Sequence, residues 1–375
     1  MPERYIEKDK MELDTPCLAL DIATFEHNLT TMRDAVLAAG KKLRPHTKTH
    51  KCSELTRRQI AAGGTVGVCV AKVSEAAALI DAGINNVLIT SPVVTPQKIA
   101  ILMQCAVRTP DIMVVIDNPE NAVALNAAAA GHKLILKVLV DVNPSMGRTG
   151  VNYADALPLG GLIAGLPSLK LRGIQCYAGM VQHIHAFDQR REASLKVMQQ
   201  AAEVFRQFKT AGLGAEIFTG TGTGTFDVDT EIPEMTDFQV GSYCVMDAEY
   251  SNLSGKNNPE KFDQFKPALT ILSSVISVNQ QEFVTVDAGL KSLYFTPHAP
   301  PMIIHRHGMW NYEWFGDEHG RIYPPPGTAK PKLGEIIEMS APHCDPTINL
   351  YDYIWVTENG KVIDRWPIDL RGKAQ

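Results

Sequence analysis

Residues 44–51 read RPHTKTHK. Arg44, Lys48 and Lys51, with Lys42 just upstream, stand beside His46 and His50 in a stretch that otherwise reads as buried. A solvated loop is one reading. The other is a lysine whose charged form is disfavoured by its cationic neighbours, leaving a neutral amine for carbonyl chemistry. A second stretch, TGTGTGT (219–225), alternates glycine with hydroxyl residues. Glycine lets the backbone approach an anion and threonine adds donors, which is what a phosphate cradle needs; a flexible loop has the same composition. Arg148, in MGRTG, suits bracing a cofactor oxygen or merely a loop carbonyl. Tyr177, Gln182 and His183 lie in YAGMVQHIH. His183, with an ordinary pKa near neutrality, suits a general base, against the commoner structural role of a lone histidine.

APHCDPTINLYD (341–352) offers metal ligands. In an extended segment residues i and i+2 point the same way, so His343 and Asp345 share one ion while Cys344 faces away. A nitrogen–oxygen pair suits Mn²⁺ or Zn²⁺. The alternative is a polar turn before a strand. DEHG (317–320) adds Asp317 and His319, either to the same pocket or as a turn cap.

The elements that must carry these groups alternate. CLALD (17–21), KLRPHT, VGVCV (66–70), NVLIT (86–90), IMVVI (112–116), LILKVLVDV (134–142), IQCYA (174–178), EIFTG (216–220) and FQVGSY (238–243) read as strands. Amphipathic segments such as FEHNLTTMRDAVLAAG (25–40) separate them. Strand–helix units of roughly two dozen residues imply a parallel sheet, and about eight fit before residue 250, favouring a closed (β/α)8 TIM-like barrel. The first βα turn lacks GxGxxG, so a dinucleotide fold loses its best marker. Each polar cluster before residue 250 follows a strand, where barrel enzymes gather function. After about residue 260, TILSSVISV, EFVTVDAG, PMIIHRHG, EIIEMS and YIWVTENGKVIDRWPI read as short strands of an all-β domain, with a long loop at PPPGTAKPKLG. We place the barrel at 17–255 and the β domain, with the metal motif, at 1–16 plus 256–375.

With 375 residues, 45% of them apolar, the chain is large enough for two domains. A net charge of −5 gives no electrostatic support for nucleic-acid or membrane binding. Seven scattered cysteines, with no CxxC pair, argue against disulfides and a structural zinc site and for a reducing cytoplasm. No signal peptide is visible in MPERYIEKDKMELDTP, and no apolar run is long enough to span a bilayer.

A carbonyl-forming lysine with a phosphate cradle points to pyridoxal phosphate. The chain resembles the D-threonine aldolase family, relatives of D-serine dehydratase and of the alanine racemase-like barrels, all fold type III pyridoxal phosphate enzymes. The resemblance runs over nearly the whole length, in DTPCLALD, LRPHTKTHK, VGVCVAKVSEA, YAGMVQH, TGTGTGT, FQVGSYCVMD, DAGLKS, DEHG, PHCDPTINLYD and VIDRWPIDLRG. It implies that Lys48 bonds the cofactor and that Thr221, Gly222, Thr223 and Gly224 hold its phosphate. It implies that Arg148, Tyr177, Ser242 and Tyr243 flank the cofactor, and that Tyr177 and His183 line the substrate site with His183 as base. It implies a metal on His343 and Asp345, Mn²⁺ first, with Zn²⁺, Mg²⁺ or Co²⁺ as alternatives, and a homodimer.

Within the family, dehydratases look like His-x-Cys and aldolases like His-x-Asp; this chain has His343-Cys344-Asp345 and the aldolase-like VQH at 181–183. The activity implied is metal-dependent retro-aldol cleavage of D-threonine, or a related D-3-hydroxy-amino acid, to glycine and an aldehyde. The runner-up is a D-serine or D-3-hydroxyaspartate dehydratase giving a keto acid and ammonia. A third reading is a non-catalytic pyridoxal phosphate-binding protein, whose small barrels lack the β domain; a racemase would not need a metal. One departure is VDVNPSMGRTG, where aldolases read VDVGQGRCG: residues are inserted, Met146 replaces a glutamine, and the setting of Arg148 is left open.

Overall fold

In a computed structural model of the chain, residues 2–304, 306 and 309–375 are described. In chain order the elements are β1 Cys17–Asp21, α1 Ile22–Ala38, β2 Lys42–Leu43, α2 Ser53–Ala61, β3 Val68–Val70, α3 Val73–Asp81, β4 Val87–Ile89, α4 Pro96–Arg108, β5 Met113–Ile116, α5 Pro119–Gly131, β6 Leu136–Val142, α6 Tyr153–Ala164, β7 Leu169–Cys176, α7 Phe187–Thr210, β8 Ile217–Gly220, α8 Phe226–Asp229 and β9 Asp237–Phe238. There follow α9 Ala248–Ser251, β10 Leu269–Ser277, β11 Val284–Val286, β12 Asn311–Trp314, β13 Gly320–Tyr323, β14 Ile336–Ser340, α10 Cys344–Ile348, β15 Tyr353–Glu358 and β16 Lys361–Pro367. They form two compact units. One holds the residues up to Thr31, Thr49–Cys52 and Ser242–Arg371; the other holds Met32–Lys48, Ser53–Gly241 and Gly372–Gln375.

The second of these units is the barrel. Its eight strands pair in the order β2-β9-β8-β7-β6-β5-β4-β3, every pair parallel. Isolated parallel bridges from Leu43 to Thr65 and from His46 to Cys69 join the two ends, so the barrel is nearly closed. Strands β3, β4 and β5 are buried at every residue, as a sheet covered on both faces requires. Cys69, Leu88, Met113, Val115, Leu139 and Ile217 make a continuous core cluster. Burying each large side chain among them contributes about 1.5–3 kcal/mol. Local signals start the helices: Asn118 accepts the amides of Glu120 and Asn121 ahead of Pro119, and Glu75 accepts those of Ala71 and Lys72.

The other unit is mostly β. Its sheet runs β12-β13-β11-β10-β1-β15-β16, with β14 also on β10. Here the structure corrects the expected barrel limits. β1, read as the opening strand of the barrel, instead pairs antiparallel with β10 and parallel with β15. Four buried residues in a row suit the centre of either sheet, so the sequence pattern does not choose between them. The division also falls at Gly241/Ser242 rather than near 255. The strands expected at TILSSVISV, EFVTVDAG, EIIEMS and YIWVTENGKVIDRWPI are present as β10, β11, β14, β15 and β16. Of PMIIHRHG only a bridge from Ile303 to Met339 forms; residues 305, 307 and 308 lie outside the described residues. Among the described residues no helix is long and apolar enough to cross a membrane.

Candidate active site

Parallel strands deliver their C-terminal residues to one mouth of a barrel. The turn Thr47–Thr49 follows β2, the loop from Asn143 follows β6, Tyr177 follows β7 and Thr221 follows β8. So Lys48, Arg148, Tyr177 and the glycine–threonine loop share that mouth. Lys48 is half-buried, and its neighbours are anchored: His46 Nε2 meets Thr90 Oγ1 at 3.1 Å, and Thr47 Oγ1 donates to the Cys69 carbonyl at 2.9 Å.

Two of the cations expected round Lys48 serve the other end of the barrel. Arg44 is buried and paired with Asp237 at 2.9 Å. With Lys42 it lines a cavity of about 390 Å³ shared with Asp111, Lys137, Arg172 and Glu216, at the starts of the strands. Lys137 pairs there with Asp111, and Arg172 with Glu216. Arg44 thus serves the far mouth as ion-paired structure, with Lys42 beside it.

The loop holding Arg148 is built by one side chain. Asn143 Oδ1 accepts the amides of Met146 and Gly147 at 2.9 and 3.1 Å, which folds the inserted residues into a closed turn. Gly150 (φ 93°) has no room for a Cβ, which would lie 2.6 Å from the Asn143 nitrogen. Arg148 then sits over the Tyr177 ring, 5.4 Å from its centroid.

Beneath this loop runs a buried chain. Thr149 Oγ1 donates to Asp141 at 2.8 Å, Gln175 Nε2 to Asp141 at 2.9 Å, and Gln239 Nε2 to Gln175 at 3.0 Å and to Thr219 at 3.2 Å. Burial pushes the Asp141 carboxyl up to about 6, against the bonds from Gln175 and Thr149. An unfolded Asp titrates near ~3.9, so the folded chain holds this proton more tightly. The resulting stabilisation is complete below about pH 4 and is lost as pH rises through about 6, a swing of about 3 kcal/mol. Asp141→Asn is expected to lose that much less stability between pH 4 and 7 than the parent in urea melts. Parallel profiles would contradict this.

The glycine–threonine loop is clamped from behind. Gln182 Oε1 accepts the Gly224 amide at 3.0 Å, and its Nε2 donates to Thr225 Oγ1 at 2.9 Å. Arg190, with no exposed surface, donates to the Gly224 carbonyl at 2.7 Å and to the carbonyls of Ile184 and His185 at 2.6 and 3.0 Å. Asp229, pushed up to about 6 by burial, accepts Ser194 and Thr225 hydroxyls at 2.6 and 2.7 Å. Thr221 is in the left-handed region (φ 74°), a backbone form that groups successive N–H donors on a concave side. Thr221 and Thr223 are buried beside it. This donor set fits a phosphate. A Cβ on Gly224 would lie 2.2 Å from the Gln182 carbonyl. Gly224→Ala should therefore weaken pyridoxal phosphate binding about tenfold or more and cost about 1–3 kcal/mol in a melt. Gly161→Ala, where nothing stands within 4 Å, is the control. Equal behaviour of the two variants would refute the clamp. His183, one residue past the clamped Gln182, is exposed.

The metal motif departs from its expected form. β14 ends at Ser340, His343 caps α10, and Cys344 and Asp345 are already helical. Alternation of extended residues therefore does not apply, and Cys344 does not face away. Its Sγ lies with Asp247 and His343 in a group whose ligand atoms are within 4.8 Å of one another, and 3.5 Å from Asp345 Oδ1. Ser242 Oγ stands 3.5 Å from the same Asp345 oxygen, so Ser242 is placed beside this cluster. Tyr243 is buried edge-on to Phe265, with centroids 5.8 Å apart. Burial works against a charged His343 ring, but the bond to Asp247 and the charges of Asp345 and Glu249 outweigh it, and its pKa is raised to about 9. Burial, with Asp247 and Asp345 close by, pushes the Cys344 thiol well up. One imidazole with carboxylates around it fits a divalent cation. In DEHG, Asp317–His319 forms the turn of the β12–β13 hairpin, where the Lys291 amide donates to the Asp317 carbonyl at 2.9 Å.

Known proteins are similar to this chain along most of its length. The family model "Alanine racemase, N-terminal domain" matches residues 20–247, and that of a serine dehydratase domain matches residues 268–357. The D-threonine aldolase of Arthrobacter sp is 37% identical over 96% of this chain and 93% of its own length. The chain belongs to the D-threonine aldolase family. A 3-hydroxy-D-aspartate aldolase of Paracoccus denitrificans (strain Pd 1222) is 34% identical over 98% of this chain and 94% of its own. The crystal structure of a family member, D-threonine aldolase from Filomicrobium marinum, superposes with a TM-score of 0.90 at 35% identity, covering 98% and 97% of the two chains. Membership makes the protein a lyase of the fold type III pyridoxal phosphate class, with an alanine racemase-like barrel and a mostly β domain.

Sequence reading missed Asp141, Gln182's clamping role, Arg190 and Asp247. Each is buried and polar, and the bonds that give it meaning come mostly from distant residues.

Proposed function

We propose that the protein cleaves D-threonine, or a related D-3-hydroxy-amino acid, by a metal-dependent retro-aldol reaction to glycine and an aldehyde. The observation that carries this is the His343–Asp345 donor pair, with a carboxylate at the second ligand position, in a chain whose relatives named above are aldolases. Lys48 bonds the cofactor, and the amides and hydroxyls of Thr221–Gly224 hold its phosphate. Arg148 and Tyr177 fix its orientation, with Ser242 and Tyr243 flanking it. Bound pyridoxal phosphate supplies the sink for the electron pair released as Cα–Cβ breaks. His343 and Asp345 hold a divalent ion, Mn²⁺ first, that lowers the pKa of the β-hydroxyl. His183 takes the hydroxyl proton, and Tyr177 lines the substrate site with it.

The test is turnover of D-threonine, D-3-hydroxyaspartate and D-phenylserine, before and after chelation. Activity lost to chelator and restored by Mn²⁺ supports the reading, and the ranking of kcat/KM names the side chain preferred at Cβ. Full activity in chelator removes the metal role. The serine dehydratase domain match at residues 268–357 favours one second reading, elimination of the β-hydroxyl to give a keto acid and ammonia.

A further inference from the structure

No role falls to Asp247 above, yet it is the most buried carboxylate of the cluster, with no exposed surface. Its bonds account for both oxygens. Oδ1 accepts the Tyr250 amide at 2.9 Å. Oδ2 accepts the Cys344 amide at 2.9 Å and meets His343 Nδ1 at 2.9 Å. Amides only donate, so both oxygens act as acceptors. Carboxylate partners of metal-ligating histidines accept from the ring, which makes Nδ1 the donor here. That tautomer puts the lone pair of the neutral ring on Nε2, the atom that would meet an ion. The same bonds disfavour Asp247 as a ligand, because an ion on either oxygen competes with an amide already aimed there. Glu249 Oε2 stands at 3.6 Å from Nδ1, beyond hydrogen-bond reach, and does not substitute.

We propose that Asp247 is a positioning residue: it fixes the tautomer and direction of His343 so that Nε2 meets the divalent ion, and it is not itself a ligand. This rests on the metal reading above. It also explains how the cluster is assembled. Asp247 opens α9 by accepting the Tyr250 amide, and α9 is tied to the metal motif by the Ala248 and Glu249 amides on the Ala341 and Pro342 carbonyls, at 2.9 and 3.1 Å.

The test is Mn²⁺ titration of the pyridoxal phosphate-loaded parent and Asp247→Asn, read by the electron paramagnetic resonance of free Mn²⁺. The cofactor's visible absorbance and the melting temperature serve as folding controls. The expected result is a Kd about 10–100-fold weaker in the variant, with absorbance unchanged. Equal Kd values overturn the proposal. A parent that binds no Mn²⁺ overturns the metal reading itself, and the proposal with it. Anomalous diffraction from Mn²⁺-soaked parent crystals needs no variant. An ion on His343 Nε2 without an Asp247 oxygen supports the proposal, and an Asp247 oxygen bound to the ion overturns it.

Discussion

Lys48→Ala is expected to abolish turnover, by about 10³-fold or more, and with it the visible absorbance that pyridoxal phosphate gains when bonded to a lysine amine. The side chain rises from a turn anchored just ahead of it, by Thr47 on the Cys69 carbonyl and by His46 on Thr90. The loss should therefore be chemical rather than structural. The variant keeps the bonds of the phosphate cradle that run among Gln182, Arg190, Asp229, Gly224 and Thr225. It should still bind the cofactor non-covalently, as ultrafiltration would show. A variant that keeps both absorbance and turnover would move the lysine role elsewhere.

Asp345→Ala is expected to have the second-largest effect: loss of Mn²⁺-stimulated turnover, about 10²-fold or more, with cofactor absorbance retained. Asp345 is half-buried in the first turn of α10, 3.5 Å from Ser242 Oγ and from Cys344 Sγ. Removing its carboxylate deletes one of the two proposed ligands and leaves the Asp247 bonds to His343 and Cys344 in place. Chelation of the parent should give the same phenotype. Unchanged Mn²⁺ dependence in the variant would refute the ligand assignment.

The barrel was legible because strands such as β3, β4 and β5 are short, wholly buried runs between helices, a period that the order of residues exposes. The sheet to which a buried run belongs was not legible, since β1 has the same pattern as a barrel strand and its partners lie some 250 and 335 residues away, as in Leu18 on Ile271 and on Ile354. The positive run misled for a related reason. Arg44 is close to Lys48 in sequence, but Asp237 draws it into the cavity at the starts of the strands. The metal motif was found by residue type, and its geometry was missed because the Asp247 carboxylate, 97 residues away, takes the Cys344 amide where the chain turns helical. The inserted residues before Arg148 carried their own signal: Asn143 stands at the start of a turn, a common place for a side chain that caps amides ahead of it.

The central claim is that the Cα–Cβ bond breaks. It is tested most directly by incubating the purified protein with pyridoxal phosphate, Mn²⁺ and D-threonine and assigning every product carbon and nitrogen, with a chelator control. Retro-aldol cleavage is expected to give glycine and acetaldehyde in equal amounts, no ammonia, and nothing after chelation. Formation of 2-oxobutanoate and ammonia instead would contradict it and make the protein a dehydratase.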